Sequence, residues 1–431
     1  MTAKQTLSTQ PPRGTYDWPP EEYKVRKHIF DTWRRVCTRF GYEEYLTPLV
    51  EDADLYRAKS GEDVGGKELA LLEKRGDIQL AIRPEMTPSV TRMVSKDYVA
   101  QTKPIRLFSI ANFFRNEKPQ RGRNREFWQL NYDIFGEESI NADIEVIQIA
   151  LEIMLAFNPP KDSFVIYVND RRLINAVLES IGVKSEDDKI KLVRLLDKWD
   201  KMEGKKFGEM LTAQGVNDDQ IGQLIGLMKV ESNEGVFERL GLGEAQDILD
   251  QSIHPIMSNF AQLGYADWLE FKPSLIRGFD YYDGMVFEVF DKSSKNNRSL
   301  FGGGRYNALA GLFGADPFPA VGCAPGDETI KLFLEEWGLI DKLQIESSAE
   351  RVFIPLLDES FLPQVLKIAR SLRQKEQIVE TGLKVERLRS ALSYADKKEF
   401  DKVLIFGEEE KSKGIYVVKD MKTGKQEEVD I

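Results

Sequence analysis

Two apolar and aromatic runs, residues 105–115 and 126–135, are separated by a loop that packs Lys118, Arg121, Arg123 and Arg125 into eight positions. Both runs have strand composition, so the segment reads as a hairpin with a charged tip. Along the second run, period-two alternation sets Phe127, Gln129, Asn131 and Asp133 on one face and Trp128, Leu130, Tyr132 and Ile134 on the other. The apolar face is a packing surface; the other is a polar-lined floor with a carboxylate. Four cations beside such a floor suit a phosphate-bearing ligand. A solvated sheet face next to a charged hairpin fits the same spacing, so other features have to decide.

The 431 residues are 42% hydrophobic and 30% charged, enough for two or three domains with a substantial core. Two cysteines, Cys37 and Cys323, and two histidines, His28 and His254, cannot assemble a disulfide framework or a Cys/His zinc site. They also give little support to a His-centred triad, and no protein-bound structural metal is expected. No apolar run reaches the roughly 18 residues of a membrane helix. Residues 1–10 are polar, so a cytoplasmic protein without a membrane partner is expected. The net charge of −11 disfavours indiscriminate binding of polyanions but permits a local basic site. The acidity lies outside residues 351–431, where 16 Lys/Arg balance 15 Asp/Glu.

A helix is expected from Pro20 to Phe40, with Val25, Ile29, Trp33, Val36 and Phe40 on one face and Gly41 as its stop. Strand-like segments follow at 45–50, 80–83, 105–115, 126–135 and 164–168, a mixture that reads as a mostly antiparallel α+β domain. Residues 171–264 turn helical and charged, as in Lys189 to Trp199 and Asp218 to Lys229, and read as an insertion. Strands are expected again at 274–290, with Asp283-Gly284 as a two-residue type I′ hairpin turn. A last helix near 328–337 closes the domain. A polar linker at 339–350 then leads to an α/β module, with strands at 351–357, 402–406 and 414–419 and helices at 363–374 and 384–395.

Three short motifs say little alone. Gly61 to Glu68 nearly spells a P-loop, but Glu68 stands where a Ser or Thr must hold magnesium and no strand precedes Gly61, so an exposed loop is expected. Gly302-Gly303-Gly304 reads as a tight turn or a close backbone approach. Arg83-Pro84-Glu85-Met86-Thr87 reads as a strand running into a helix N-terminus. The segment Arg277-Gly278-Phe279-Asp280-Tyr281-Tyr282 is more telling, because an Arg buried among aromatics calls for an anion.

Taken together, these segments resemble a class II aminoacyl-tRNA synthetase of the histidyl-tRNA synthetase family, over nearly the whole chain. Arg13-Gly14-Thr15-Tyr16-Asp17, the long helix and the strand ending at Pro48 resemble the first class motif, which makes a homodimer interface. Arg115 to Gly136 resembles the second motif, an antiparallel hairpin that contacts ATP and the tRNA acceptor end. Arg277 to Tyr282 resembles the histidine-specific Arg-Gly-Leu-Asp-Tyr-Tyr signature. The resemblance implies an α+β fold: an antiparallel sheet flanked by helices, with residues 1–170 and 265–340 as the catalytic domain, 171–264 as a helical insertion and 350–431 as an anticodon-binding domain.

It also implies roles. Arg115 would hold the ATP α-phosphate, Phe127 would stack on adenine and Glu117 would contact the nucleotide. Glu85 and Thr87, with Gln129 nearby, would bind the α-amino group of L-histidine. Asp133, Tyr281 and Tyr282 would line the imidazole pocket, closed by Tyr306. Arg277 would sit beside the reacting carboxylate and the α-phosphate. Gln120, Arg123 and Arg125 would face the acceptor stem of tRNA(His). ATP would arrive as a substrate with Mg²⁺.

Such chemistry needs neither a histidine nor a metal-binding cluster, because the substrate carboxylate is already a nucleophile at neutral pH and the reaction asks for in-line placement and charge neutralisation. The third motif of the family ends in Gly-Leu-Glu-Arg, whose Arg holds the γ-phosphate, whereas this chain reads Gly326-Asp327-Glu328-Thr329. Arg92, Arg121 and Lys331 are the cations that could stand in. The alternative is a catalytically silent paralog acting as a regulatory or tRNA-sensing subunit. That paralog normally lacks the signature and the C-terminal module, both of which are present here.

Overall fold

A computed structural model of the chain describes residues 7–58, 63–74, 76–197, 199, 204–229, 243–276, 281–295, 299–343 and 350–431. They fall into two units, Met1–Leu343 and Gln344–Ile431.

The first unit is organised by the helix Pro20–Arg39 and by an eight-stranded sheet. Pro20 at the first helical position and Glu21 and Glu22 in the first turn suit the positive end of the helix dipole, and Gly41 at φ +80° ends the run. Its strands are β1 (Glu43–Glu44), β5 (Ile105–Phe114), β6 (Glu126–Phe135), β7 (Phe164–Asp170), β8 (Leu269–Phe271), β9 (Met285–Asp291), β10 (Ser299–Arg305) and β11 (Ala320–Cys323). A separate three-stranded sheet holds β2 (Val50–Asp52), β3 (Ala70–Leu71) and β4 (Leu80–Ile82). The large sheet runs β1-β5-β6-β11-β10-β9-β7-β8. Only the outer pairs β1/β5 and β7/β8 are parallel.

One face of this sheet carries the main core. Ile29, Trp33 and Val36 of the first helix, Val146 to Met154 of the helix Ile140–Leu155, and Ile330, Phe333 and Leu334 of the helix Asp327–Glu336 pack on Leu130, Tyr132 and Ile134 of β6. These are the β6 residues that alternation assigns to packing. The opposite face is free to build a cavity.

The helices between Arg171 and Gln262 bury their own apolar cluster, from Leu173, Val177, Leu192 and Leu195 through Phe207, Leu224 and Ile253. The second unit is a five-stranded sheet of β12 (Arg351–Leu356), β13 (Ile378–Val385), β14 (Lys402–Ile405), β15 (Ile415–Asp420) and β16 (Gln426–Asp430), in the order β13-β12-β14-β15-β16. The helix Leu362–Gln374 covers one face and Leu388–Lys397 the other.

Three expectations are corrected. The segment 45–50 contributes only its last residue to a strand; the short strands β1 and β2 lie on either side of it. The hairpin at Asp283-Gly284 does not form, and Gly284 lacks the positive φ that a type I′ turn requires. Instead, the Asp283 carboxylate accepts from the backbone N–H groups of Asn307 and Ala308, and β9 pairs with β7 and β10. Finally, 384–385 belong to strand β13 rather than to the start of a helix. That strand lies at the edge of its sheet and ends in three exposed residues, 383–385, so its alternation is faint there.

Candidate active site

A cavity of about 710 Å³ opens on the polar face of β6. Phe127, Gln129, Asn131 and Asp133 all line it, as period-two alternation requires. Glu85, Thr87, Arg115, Glu117, Arg123, Tyr281, Tyr282, Tyr306 and the 326–329 turn complete most of the wall.

At one end lies a buried polar pocket. Tyr306 Oη donates to Asp133 Oδ1 at 2.5 Å, and Tyr281 Oη donates to Glu85 Oε2 at 3.2 Å. The Tyr281 ring meets Tyr282 edge-on at 4.9 Å and Tyr306 at 5.8 Å, so three aromatics hold one another in place. Burial pushes the Asp133 carboxyl up to about 7, against the lowering effect of the Tyr306 hydrogen bond. The same burial, with Asp133 alongside, pushes the Tyr306 phenol well above its usual range. Gly322 of β11 faces Asp133 across the register, and a Cβ there would lie 1.9 Å from Asp133 Oδ1. A side chain at 322 is incompatible with this carboxylate position.

The other end is cationic. Arg115 donates from Nε to Pro84 O at 3.0 Å, and its guanidinium lies 5.1 Å from the centre of the Phe127 ring. Phe127 in turn stacks on Phe113 at 5.8 Å. Arg123 pairs with Glu117 at 3.6 Å. Gln120 and Arg125 are not part of the lining; Arg125 donates from Nε to Glu117 O at 3.1 Å and braces the loop from behind.

The turn that replaces the family's third motif is occupied by internal contacts. Thr329 Oγ1 lies 2.6 Å from Leu300 O and 3.0 Å from Gly326 O, so its hydroxyl is committed to backbone. Arg26, on the first helix, bonds both Asp327 and Glu328 beneath the face of Trp18, 3.9 Å away. The second oxygen of Asp327 accepts the Trp128 N–H at 3.0 Å, fastening the turn to β6. Burial pushes the Asp327 carboxyl up to about 7, opposed by the Arg26 charge.

Several sequence expectations change here. None of Arg92, Arg121 and Lys331 lines the cavity; Arg92 pairs with Glu51 at 2.7 Å and Lys331 with Glu335 at 3.3 Å. Lys67 and Arg194 do line it, the first from the near-P-loop and the second from the helical segment. Of that near-P-loop, Gly61 and Glu62 lie outside the described residues; Asp63–Lys67 forms a π-helical turn rather than an irregular loop, with Gly66 and Lys67 exposed and Val64, Lys67 and the adjacent Glu68 on the cavity wall. Gly302-Gly303-Gly304 is a close backbone approach and not a turn: it lies within β10, and a Cβ on Gly303 would sit 2.1 Å from Gly322 O. Arg277, with Gly278, Phe279 and Asp280, lies outside the described residues. Alternation placed Asn131 on the lining face, as found; sequence reasoning missed the lining roles of Lys67 and Arg194, which no local pattern marked.

The family profile described as histidyl-tRNA synthetase matches residues 14–329. The chain belongs to the histidyl-tRNA synthetase family. A second profile, an anticodon binding domain, matches residues 351–431. The histidine–tRNA ligase of Leptospira biflexa is 37% identical over 424 residues, covering 98% of this chain and 95% of the relative. That of Pyrococcus furiosus is 34% identical, covering 97% and 96%. A histidyl-tRNA synthetase crystal structure from Nostoc superposes with a TM-score of 0.77 at 24% identity, over 99% of this chain and 97% of that one, and bears out the class II fold. No described helix is long and apolar enough to cross a membrane.

Proposed function

We propose that the chain activates L-histidine with ATP to give histidyl-adenylate and pyrophosphate, then transfers histidine to the 3′ end of tRNA(His). The observation that carries this reading is the arrangement along one strand: a buried carboxylate–tyrosine pair at Asp133, and an aromatic face with a cation at Phe127 and Arg115. An imidazole suits the first end and an adenosine phosphate the second.

In this reading Glu85, Thr87 and Gln129 hold the α-amino group, and Asp133, Tyr281, Tyr282 and Tyr306 hold the ring. Phe127 stacks on adenine, and Glu117 contacts the nucleotide. Arg115 and Arg277 neutralise the α-phosphate as the substrate carboxylate attacks in line and pyrophosphate leaves with Mg²⁺. No general base is required. Selectivity follows from unpaired groups: a competing side chain without ring nitrogens would leave Asp133 buried with nothing to accept from on the ligand side. Gln120, Arg123 and Arg125 form the loop toward the acceptor stem, residues 171–264 act as an insertion, and the active species is a homodimer.

Histidine-dependent ATP–pyrophosphate exchange on the purified protein tests this. Exchange with histidine and with no other amino acid is expected. No exchange with any amino acid from a folded protein would overturn the reading and favour a silent paralog. Removing residues 351–431 should reduce tRNA charging far more than exchange; equal losses would argue against a separate anticodon module.

A further inference from the structure

Arg305 ends strand β10 and is buried, yet it does not line the cavity. All three of its guanidinium nitrogens are engaged. Nε donates to Asp143 Oδ1 at 3.0 Å and Oδ2 at 3.2 Å, Nη1 to Glu137 O at 3.0 Å, and Nη2 to Ser139 O at 3.2 Å and again to Asp143. Asp143 stands in the first turn of the helix Ile140–Leu155 and is 1% exposed. Such a pair adds little net stability, because desolvating both charges offsets most of their attraction. What it adds is geometry, since only one orientation of the planar fork serves the carboxylate and both carbonyls at once.

That orientation bears on the carboxylate end of the cavity. Asp133, Gly322 and Gly304 lie in register across β6, β11 and β10. Arg305 comes next, opposite Val321 and Ile134 of the packing face, and Tyr306 follows toward the cavity, as alternation requires. From β10, Tyr306 Oη reaches across β11 to Asp133. Glu137 and Ser139 lie four and six residues beyond Asp133. The two neighbouring side chains thus span β11 on opposite faces of the sheet and grip one exit of β6: Arg305 the chain that leaves it, Tyr306 the carboxylate just before. The Asp283 N–H donates to Arg305 O at 3.0 Å, and its carboxylate holds the Asn307 and Ala308 N–H groups, so the chain is fixed on both sides of Tyr306. Gly284 leaves passage for the arginine stem: a Cβ there would lie 3.3 Å from Arg305 Cβ and Cδ.

We infer that Arg305, with Asp143, is a positioning residue for histidine recognition: its clamp on the exit of β6 sets the Tyr306 hydroxyl against Asp133. The inference rests on the histidine-binding reading given above. Arg305 itself touches no substrate and acts through Tyr306.

Histidine-dependent ATP–pyrophosphate exchange by the full-length protein tests it, in Arg305→Lys, Tyr306→Phe and the double variant. Lysine keeps the charge, but its single ammonium cannot hold the carboxylate and both carbonyls together. Arg305→Lys should raise the KM for histidine about tenfold, the scale of one buried hydrogen bond, and leave the KM for ATP in place. In the Tyr306→Phe background the same substitution should change the histidine KM by less than about twofold, because the hydroxyl it positions is already gone. Asp143→Asn, which keeps the shape and leaves Arg305 its two carbonyls, carries the same test if the lysine variant does not fold. Losses that multiply in the double variant, or that fall on ATP and histidine alike, would make the clamp merely structural and overturn the inference. An unchanged histidine KM in Arg305→Lys would overturn it too. Absence of histidine-dependent exchange in wild type would overturn the functional reading itself.

Discussion

The two ends of the cavity solve the problem of buried charge differently. At Asp133 a single carboxylate is held by a neutral tyrosine hydroxyl, with no cation bonded to it among the described residues. At Asp327 a carboxylate of similar burial is tied to a guanidinium and a backbone N–H, with the like charge of Glu328 beside it. Burial drives both acids upward, to about 7, yet only the second is fully partnered from within the protein. The first end is left expectant, as a binding site must be; the second is complete, as a support must be.

The largest expected effect breaks the completed end. Arg26→Ala leaves Asp327 and Glu328 without their cation, and removal of one partner of a buried ion pair costs about 3 to 5 kcal/mol. Thermal or denaturant unfolding should show that loss; a change below 1 kcal/mol would mean that the two acids find solvent instead.

At the expectant end the sign reverses between function and stability. Asp133→Asn should lower kcat/KM for histidine roughly 10- to 100-fold, the scale of a hydrogen bond to a charged group, and leave the KM for ATP in place. The wild-type carboxyl has a folded-state value near 7, above its ordinary 3.8. A raised acid contributes stability below its unfolded value and loses that contribution as pH rises from about 4 through about 7. Ligand-free Asp133→Asn should therefore be more stable than wild type at pH 8, with that advantage shrinking as pH falls and gone below about pH 4. A variant less stable than wild type at both pH values would show that the carboxylate is structurally satisfied.

The smallest effect sharpens the contrast. Thr329→Arg restores the family's cation but gives up the hydroxyl contacts to Leu300 O and Gly326 O. The KM for ATP should fall only a few-fold. Initial-rate kinetics with varied ATP would show it, and an unchanged KM would mean that Lys67, Arg123 and Arg194 already supply the charge.

The same division governs what the sequence could reveal. The boundaries of β6 and its two faces follow from alternation, because burial on one side and ligand on the other force a period of two. Tyr281 and Tyr282 were legible through the family signature, and Asp133 through strand alternation. Arg26 was not: on a helix whose apolar stripe explains its packing, a lone Arg reads as solvated, and its partners lie at the far end of the unit. Lys67 and Arg194 escaped for the same reason, since tertiary folding rather than spacing brings them to the cavity. The misplaced hairpin at Asp283 shows the converse, a strong local turn signal overruled by a carboxylate that finds backbone donors elsewhere.

The Arg26–Asp327 bond joins residues separated by 301 positions. A ribosome adding about 5–20 residues per second needs roughly 15–60 s to cover that interval. Throughout it the first helix stands in the growing chain with its guanidinium unanswered, and every product terminated before the Asp327–Glu336 helix keeps it so. A late-arriving counterion thus acts as a proof of length: only a polypeptide translated past the final wall of the cavity can answer the guanidinium of its first helix with Asp327.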